Sequence, residues 1–389
     1  MSATPDAGGG DTETRAVVVD DSRFMRSLIQ RLLEEGGISV VGEADDGANA
    51  LDAVVEHDPD VVTMDIEMPE MNGLEAVEEI MEAHPTPILM LSAHAEEDAD
   101  VTFEALDRGA VDFVTKPGGE VTSSMPKVKR ELVDKVESAA QVDLSAEAKV
   151  GTPTTGSTAG ASTAASGTRA TAGSGSAAAS TREASAGATG EAETAYPDVG
   201  TLVIGASTGG PKVVEEVLAG LPSRANLRVL VVQHMPDGFT SRFATRLDNR
   251  SAYSVAEADS GERIGVGEAR VAPGGYHLLV TGDRNDRLRL ELSETEPIHG
   301  VRPAIDVTMA SVVESVSGPL CAALLTGMGR DGVDGMERIH EAGGRTIAQD
   351  ESTSAIFGMP RRAIESGCVD VVAPADEIAE NALQYFEEE

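Results

Sequence analysis

The sequence predicts two α/β domains in tandem, each built on a doubly wound parallel sheet. Short apolar runs alternate with amphipathic helical segments up to about residue 137, and the same alternation begins again after residue 197. Between the two lie ~55 residues drawn almost wholly from Ala, Ser, Thr, Gly and Glu, a composition that cannot offset its own ordering entropy. With 389 residues the chain has room for two cores and a connector.

In the first half, AVVVD (16–20) leads into FMRSLIQRLLEEGG (24–37), where Phe24, Met25, Leu28, Ile29, Leu32 and Leu33 form one helical stripe that stops at two glycines. ISVVGEA (38–44), DVVTMD (60–65), PILMLS (87–92) and VDFVTK (111–116) read as four further strands separated by helices. Five strands alternating with helices require right-handed crossovers and a parallel sheet. Residues 141–196 form the connector, expected to be disordered, and as a flexible coil it would span roughly 40 Å. In the second half, TLVIGAS (201–207), RVLVVQH (228–234), ALLTG (323–327) and RTIAQD (345–350) read as buried strands, with PKVVEEVLAG (211–220) as a helix. The stretch 269–292 carries hairpin turn signals.

Composition narrows the function. Lys and Arg total 30 against 67 Asp and Glu, a formal charge of -37, which opposes binding to nucleic-acid phosphate or anionic lipid. Dense carboxylates keep a protein hydrated where salt screens their repulsion, so a high-salt, halophilic setting is expected, with greater stability in molar potassium chloride than in dilute buffer. No apolar run reaches the length of a membrane span, and the first residues lack the basic start and apolar core of a secretory signal, so a cytoplasmic location is expected. Cys321 and Cys368 sit in apolar surroundings and are expected to be buried, reduced thiols.

Two sets of residues carry chemistry. Asp20 and Asp21 end the first strand and Asp65 the third, so in a parallel sheet they converge on one crevice. Three such carboxylates become tolerable around a hard divalent cation, and oxygen-only donors favour Mg2+. Ser92 ends the fourth strand and Lys116 follows the fifth, bringing a hydroxyl and an ammonium suited to a phosphoryl group on a carboxylate.

In the second half, GASTGG (205–210) lies between a strand and a helix and has two readings. It is either a glycine turn that holds phosphate at a helix N-terminus, or a nucleophile turn exposing Ser207. His234 ends the next strand and Asp331 follows a glycine-rich loop, so a base and its orienting carboxylate are available to Ser207. The loop Gly327-Met328-Gly329 offers backbone N–H groups to an oxyanion. The order Ser, His, Asp differs from the Ser, acid, His order of α/β-hydrolases. His277 and His299 lack comparable settings and read as structural or solvated. Competing readings are a receiver on a catalytically dead adaptor, a nucleotide-binding second domain, and a DNA-binding regulator, the last opposed by the acidity.

Residues 14–137, through VVDDS, MDIEMPEMNG, LSA and TKP, resemble a response-regulator receiver domain. The resemblance implies a flavodoxin-like sheet with Asp65 as phosphoacceptor. It implies Mg2+ held by Asp20, Asp21, Asp65 and the backbone carbonyl of Glu67, with Ser92 and Lys116 on the phosphoryl group. Phe113 would be the aromatic that changes position on switching. Residues 197–389, through IGASTGG, QHMPDGFTSRFATRLD, APGGYHLLV, LLTGMGRDG and FGMPRRAIESG, resemble the catalytic domain of the CheB-type chemotaxis methylesterases, implying a Rossmann-like fold. Ser207 would then be the nucleophile, His234 the general base, Asp331 its orienting partner and the Met328 N–H part of the oxyanion hole. The implied reaction is phosphorylation-activated hydrolysis of glutamyl methyl esters on methyl-accepting chemotaxis receptors, with glutamine deamidation, no cofactor in the esterase step, and the histidine kinase CheA as phosphodonor. One departure is Ala304 in RPAID (302–306), where the resemblance leads one to expect Ser.

Overall fold

A computed structural model describes residues 13–93, 99–117, 125–142, 144 and 198–388. The first domain runs β1 (Arg15–Val19), α1 (Arg23–Glu34), β2 (Ser39–Ala44), α2 (Gly47–His57), β3 (Val61–Asp65), α3 (Gly73–Ala83), β4 (Ile88–Ser92), α4 (Ala99–Asp107), β5 (Asp112–Thr115) and α5 (Met125–Ala139). Its sheet has the order β2-β1-β3-β4-β5 with every pairing parallel, the expected doubly wound flavodoxin-like arrangement. Alternation along the strands sends side chains to opposite faces. Val17 and Val19 of β1 pack with Val54, Ile80 and Phe103 from α2, α3 and α4. Ala16 and Val18 pack with Ile29, Leu33, Leu132 and Val136 from α1 and α5. Polar caps start the helices: Ser22 accepts from Met25 N–H, Asp46 from Asn49 N–H, and Asn72 with Glu75 closes a reciprocal capping box.

The second domain comprises β6 (Gly200–Ala206), α6 (Gly210–Gly220), β7 (Leu227–Gln233), α7 (Phe239–Arg250), β8 (Ser254–Glu257), β9 (Arg263–Ile264), β10 (Glu268–Val271), β11 (His277–Arg284), β12 (Arg287–Ser293), α8 (Ile305–Ser315), β13 (Leu320–Leu324), α9 (Val333–Glu341), β14 (Arg345–Gln349), α10 (Met359–Ser366), β15 (Val371–Ala373) and α11 (Ile378–Glu388). Its main sheet is parallel in the order β15-β14-β13-β6-β7-β10-β8. The order reverses at β6, flanked by β13 on one side and β7 on the other, which makes its carboxyl end the switch point where ligands bind. The pattern is Rossmann-like except that β10 inserts between β7 and β8. Strand β13 spans Leu320–Leu324, earlier than expected, so Thr326 and Gly327 lie in the loop beyond it. β11 and β12 form the expected hairpin, closed by Asn285 and Asp286 at φ 52° and 59°, and with β9 make a small second sheet. Cys321 and Cys368 are free and buried, and burial pushes both thiols up.

The two domains pack on each other through one apolar seam. Phe103 stacks on Phe243 at 5.8 Å, and Phe113 lies 4.4 Å from Phe239, centroid to centroid. Arg246 Nη2 reaches Asp107 Oδ1 at 2.6 Å and Arg250 Nη2 reaches Asp107 Oδ2 at 3.5 Å. Ile356 of the second domain is buried in the same cluster as Val111, Val114 and Val142 of the first. Val142 and Leu144, assigned by composition to the connector, pack against this core, so the first domain extends further than expected. The remainder of the expected connector, 145–196, lies outside the described residues. Among the described residues no helix is long and apolar enough to cross a membrane.

Candidate active site

At the carboxyl edge of the first sheet, Asp20 and Asp65 are buried and Asp21 is exposed. One carboxylate oxygen from each lies within 4.8 Å of the others, an oxygen-only set that suits a hard cation such as Mg2+. Lys116 Nζ bridges Asp20 Oδ2 at 2.8 Å and Asp65 Oδ2 at 2.6 Å. Burial, with the charge of Asp20 adding to it, pushes the Asp65 carboxyl above its usual range against the pull of Lys116. Burial disfavours the Lys116 ammonium, but its bonds to Asp20 and Asp65 outweigh this and hold it above its usual value. Glu67 N–H donates to Asp65 Oδ1 at 3.4 Å, folding the chain after β3 around the carboxylate. Ser92 is buried at the end of β4, and Phe113 is buried on β5 beneath Lys135 Nζ at 5.7 Å from the ring centroid. Asp20, Asp21, Asp65, Ser92 and Lys116 thus end or follow strands at one edge of the sheet, whereas Phe113 lies within β5.

At the switch point of the second sheet, Ser207 directly follows β6. Its N–H donates to Thr326 O at 3.0 Å, and its carbonyl accepts from Gly210 N–H and from Gln233 Nε2, both at 2.8 Å. The sharp turn needs Gly209, which has φ 73° and whose added Cβ would stand 2.5 Å from Ala355 Cβ. Gly327 is equally constrained, since a Cβ there would sit 2.6 Å from Ser207 Cβ. His234 follows β7, and its backbone N–H bonds Ala206 O at 2.9 Å, so the imidazole emerges beside the Ser207 turn. Its Nε2 lies 2.7 Å from Asp331 Oδ2, so Nδ1 is the ring nitrogen that Asp331 does not engage. Among the described residues no hydrogen bond yet joins Ser207 Oγ to that ring. Met328 is 38% exposed, and neither its N–H nor that of Thr208 has a backbone acceptor among the described residues.

Asp331 does two jobs. Besides His234 it accepts Ile305 N–H on Oδ2 at 2.7 Å and Asp306 N–H on Oδ1 at 3.1 Å, so it caps the start of α8. Burial works against its charge, but the His234 contact and these two N–H groups hold its carboxyl below the usual range. This explains how Ala304, the N-cap of α8 with no side-chain cap bond, is tolerated. Ala304 is fully buried, and its N–H donates to His277 Nδ1 at 3.1 Å, so its side chain offers nothing to a substrate. His277 Nε2 faces Glu296 O at 3.2 Å, and burial pushes this imidazole down, which keeps it neutral and structural as expected.

Three supporting residues escaped the sequence reading. Gln233 ties the Ser207 turn to the His234 loop, its Nε2 also reaching His234 O at 3.2 Å. Thr326 Oγ1 donates to Thr208 O at 3.0 Å and accepts from Ile356 N–H at 2.9 Å. Asp306 stands against Asp331, with His299 bonded to it at 3.0 Å. Their signal was positional: each lies within a motif already noted or a few residues from one. The first domain reaches this site. Ser138 Oγ of α5 lies 2.8 Å from Met328 Sδ. A cavity of about 40 Å³ between Leu106, Val111 and Val142 on one side and Gly209, Pro211 and Ala355 on the other marks where the domains meet beside the Ser207 turn.

The family model for the response regulator receiver domain matches residues 16–122, and that for CheB methylesterase matches residues 202–382. The fold and site therefore define a response regulator whose output domain is a hydrolase. The chain is 56% identical over 369 residues to a protein-glutamate methylesterase/protein-glutamine glutaminase of Haloarcula marismortui, covering 95% of this chain and 96% of that protein. Proteins of the same description from Natronomonas pharaonis (54%, covering 95% and 96%) and Halobacterium salinarum (51%, covering 94% and 97%) are similar along the same length. The chain belongs to the protein-glutamate methylesterase/protein-glutamine glutaminase family.

Proposed function

We propose that the second domain hydrolyses glutamyl methyl esters on methyl-accepting chemotaxis receptors, with Ser207, His234 and Asp331 as its triad. The observation that carries this reading is the 2.7 Å His234–Asp331 pair beside the Ser207 turn at the sheet's switch point. Ser207 Oγ attacks the ester carbonyl while His234 Nδ1 takes its proton, and Asp331 stabilises the imidazolium. The tetrahedral oxyanion meets the free N–H of Met328. His234 returns the proton to the leaving methoxide, methanol departs, and water hydrolyses the acyl-enzyme by the reverse proton path. A glutamine side chain passes through the same acyl intermediate with ammonia leaving, so deamidation follows from the same groups.

The first domain is the regulator in this reading. Asp65 accepts a phosphoryl group from a histidine kinase, CheA, and Asp20, Asp21 and Asp65 with the Glu67 carbonyl would hold Mg2+. That ion supplies positive charge against the phosphoryl oxygens. Lys116, already on Asp65 at 2.6 Å, is placed to pair with the new charge, and Ser92 to donate to it. Phe113 couples this edge to the output domain, because its ring rests on Phe239, five residues after His234. Docked as described, the first domain lies over the Met328 loop and the Gly209 turn and restricts access to Ser207. Phosphorylation shifts the population towards an open form, which the long connector permits. The experiment is methanol release from methylated receptor by wild type and Ser207→Ala. Loss of release in the variant is expected, and unchanged release would rule out this triad.

A further inference from the structure

The carboxylate that orients His234 has a second carboxylate behind it. Asp306, in the first turn of α8, is buried; its Oδ1 accepts Gly335 N–H at 2.8 Å and its Oδ2 lies 3.0 Å from His299 Nε2. One carboxylate oxygen each from Asp306 and Asp331 and a ring nitrogen of His299 lie within 4.8 Å of one another. Two His–Asp pairs therefore stand back to back, His234–Asp331 and His299–Asp306, joined carboxylate to carboxylate. His299 holds its place from a loop residue with a left-handed backbone, φ 53°, an uncommon conformation for a side-chain-bearing residue. Five N–H contacts surround the two carboxylates, from Ile305, Asp306, Gly335 and the two imidazoles. That donor set fits a hydrogen-bonded carboxylate pair rather than a cation cage.

We infer that Asp306, oriented by His299, is a positioning residue of the esterase reaction that acts on His234 through Asp331. The inference rests on the triad reading above. When Asp306 is ionised it adds a second negative charge behind Asp331 and favours the imidazolium that His234 becomes on taking the Ser207 proton. The titratable and charged groups around Asp306 are few. Asp331 and His299 touch it, and His234 lies beyond Asp331. From β11 comes neutral His277, near Arg302, whose Nη1 is tied to Glu294 O and Thr295 O. From the α9 side come Arg330 and Asp334, which pair with each other. Burial and then the charge of Asp331 push the Asp306 carboxyl up to about 6, so it ionises just below neutral pH.

The test is kcat/KM for methanol release from methylated receptor against pH, using the full chain with one fixed concentration of acetyl phosphate. Asp306→Asn keeps the acceptor for Gly335 N–H and removes the charge; the acid limb of the profile moves down by about one pH unit. His299→Gln, at a partly exposed loop position, leaves Asp306 harder to ionise and moves the limb the same way by less. A loss of rate at every pH with the acid limb unmoved in both variants means Asp306 only builds the fold, and the inference is overturned. If Asp306→Asn does not fold, the His299→Gln limb decides alone. Ser207→Ala, run beside them, separates the two claims. Its residual full activity would remove the triad reading itself, whereas its inactivity with unmoved limbs would remove only this inference.

Discussion

Asp107→Ala tests the docked arrangement without touching either core. Asp107 ends α4 and pairs with Arg246 at 2.6 Å and with Arg250 at 3.5 Å. The Arg246 side chain is 17% exposed, whereas Asp107 and Arg250 are 43% and 50% exposed. Solvent therefore screens most of the attraction, and the two pairs together hold the domains by only about 1 kcal/mol at low salt. Both arginines keep Glu215, so the substitution leaves them partnered. A change of about 1 kcal/mol alters the open-to-closed ratio roughly fivefold. Unphosphorylated Asp107→Ala should accordingly release methanol about three to five times faster than wild type at the lowest salt that keeps the chain folded. In molar potassium chloride, where the screening length falls to about 3 Å, the difference should shrink below about twofold. With acetyl phosphate present, variant and wild type should converge. Equal basal rates at low salt, or the same rise with and without phosphodonor, would refute the reasoning.

Gly327→Ala should cut methanol release by at least about a hundredfold with little loss of secondary structure by circular dichroism, since the new Cβ would press on Ser207 Cβ and on Met359, displacing the proposed nucleophile. Ala304→Ser should raise the unfolding free energy by up to about 1 kcal/mol in denaturant titrations, because the N-cap of α8 gains a hydroxyl acceptor; the existing Asp331 bonds limit the gain. Asp306 has a folded value of about 6, above the value of an unfolded aspartate, so its ionisation destabilises the folded chain; this cost is absent well below about pH 4 and complete above about pH 6. The stability of Asp306→Asn relative to wild type should therefore improve between pH 4 and pH 7 by roughly 2 kcal/mol, and a flat difference across that range would contradict the assignment.

Much of this was legible in the chain because strand ends in parallel sheets point to one edge. Asp20, Asp65, Ser92 and Lys116 each end or follow a strand, so pattern alone placed them in one crevice. Ser207 and His234 follow neighbouring strands β6 and β7, and that adjacency is the natural outcome of consecutive right-handed crossovers. Other features depend on packing that no local pattern encodes. The insertion of β10 between β7 and β8 follows from where a short amphipathic strand finds cover, not from its order in the chain. Val142 and Leu144 sit in a polar stretch, and only the surface they cover shows that they belong to a core. Sequence leaves His299 as either structural or solvated, because its partner, Asp306, reaches it from a helix turn seven residues on whose N–H is held by Asp331. The choice of Nε2 as the atom facing Asp331 is likewise a matter of ring orientation, invisible in residue types. Docking of Phe103 and Phe113 onto Phe243 and Phe239 was also unreadable, since core aromatics and interface aromatics are the same residues in a sequence.

The most direct test of the central claim is methanol release from methylated receptor by the full chain and by Ser207→Ala, each with and without acetyl phosphate and Mg2+. Wild type should release methanol at a rate that rises with the phosphodonor, and Ser207→Ala should release none above background in either condition. Release that survives the loss of Ser207 would contradict the triad, and wild-type release indifferent to the phosphodonor would contradict its control by Asp65.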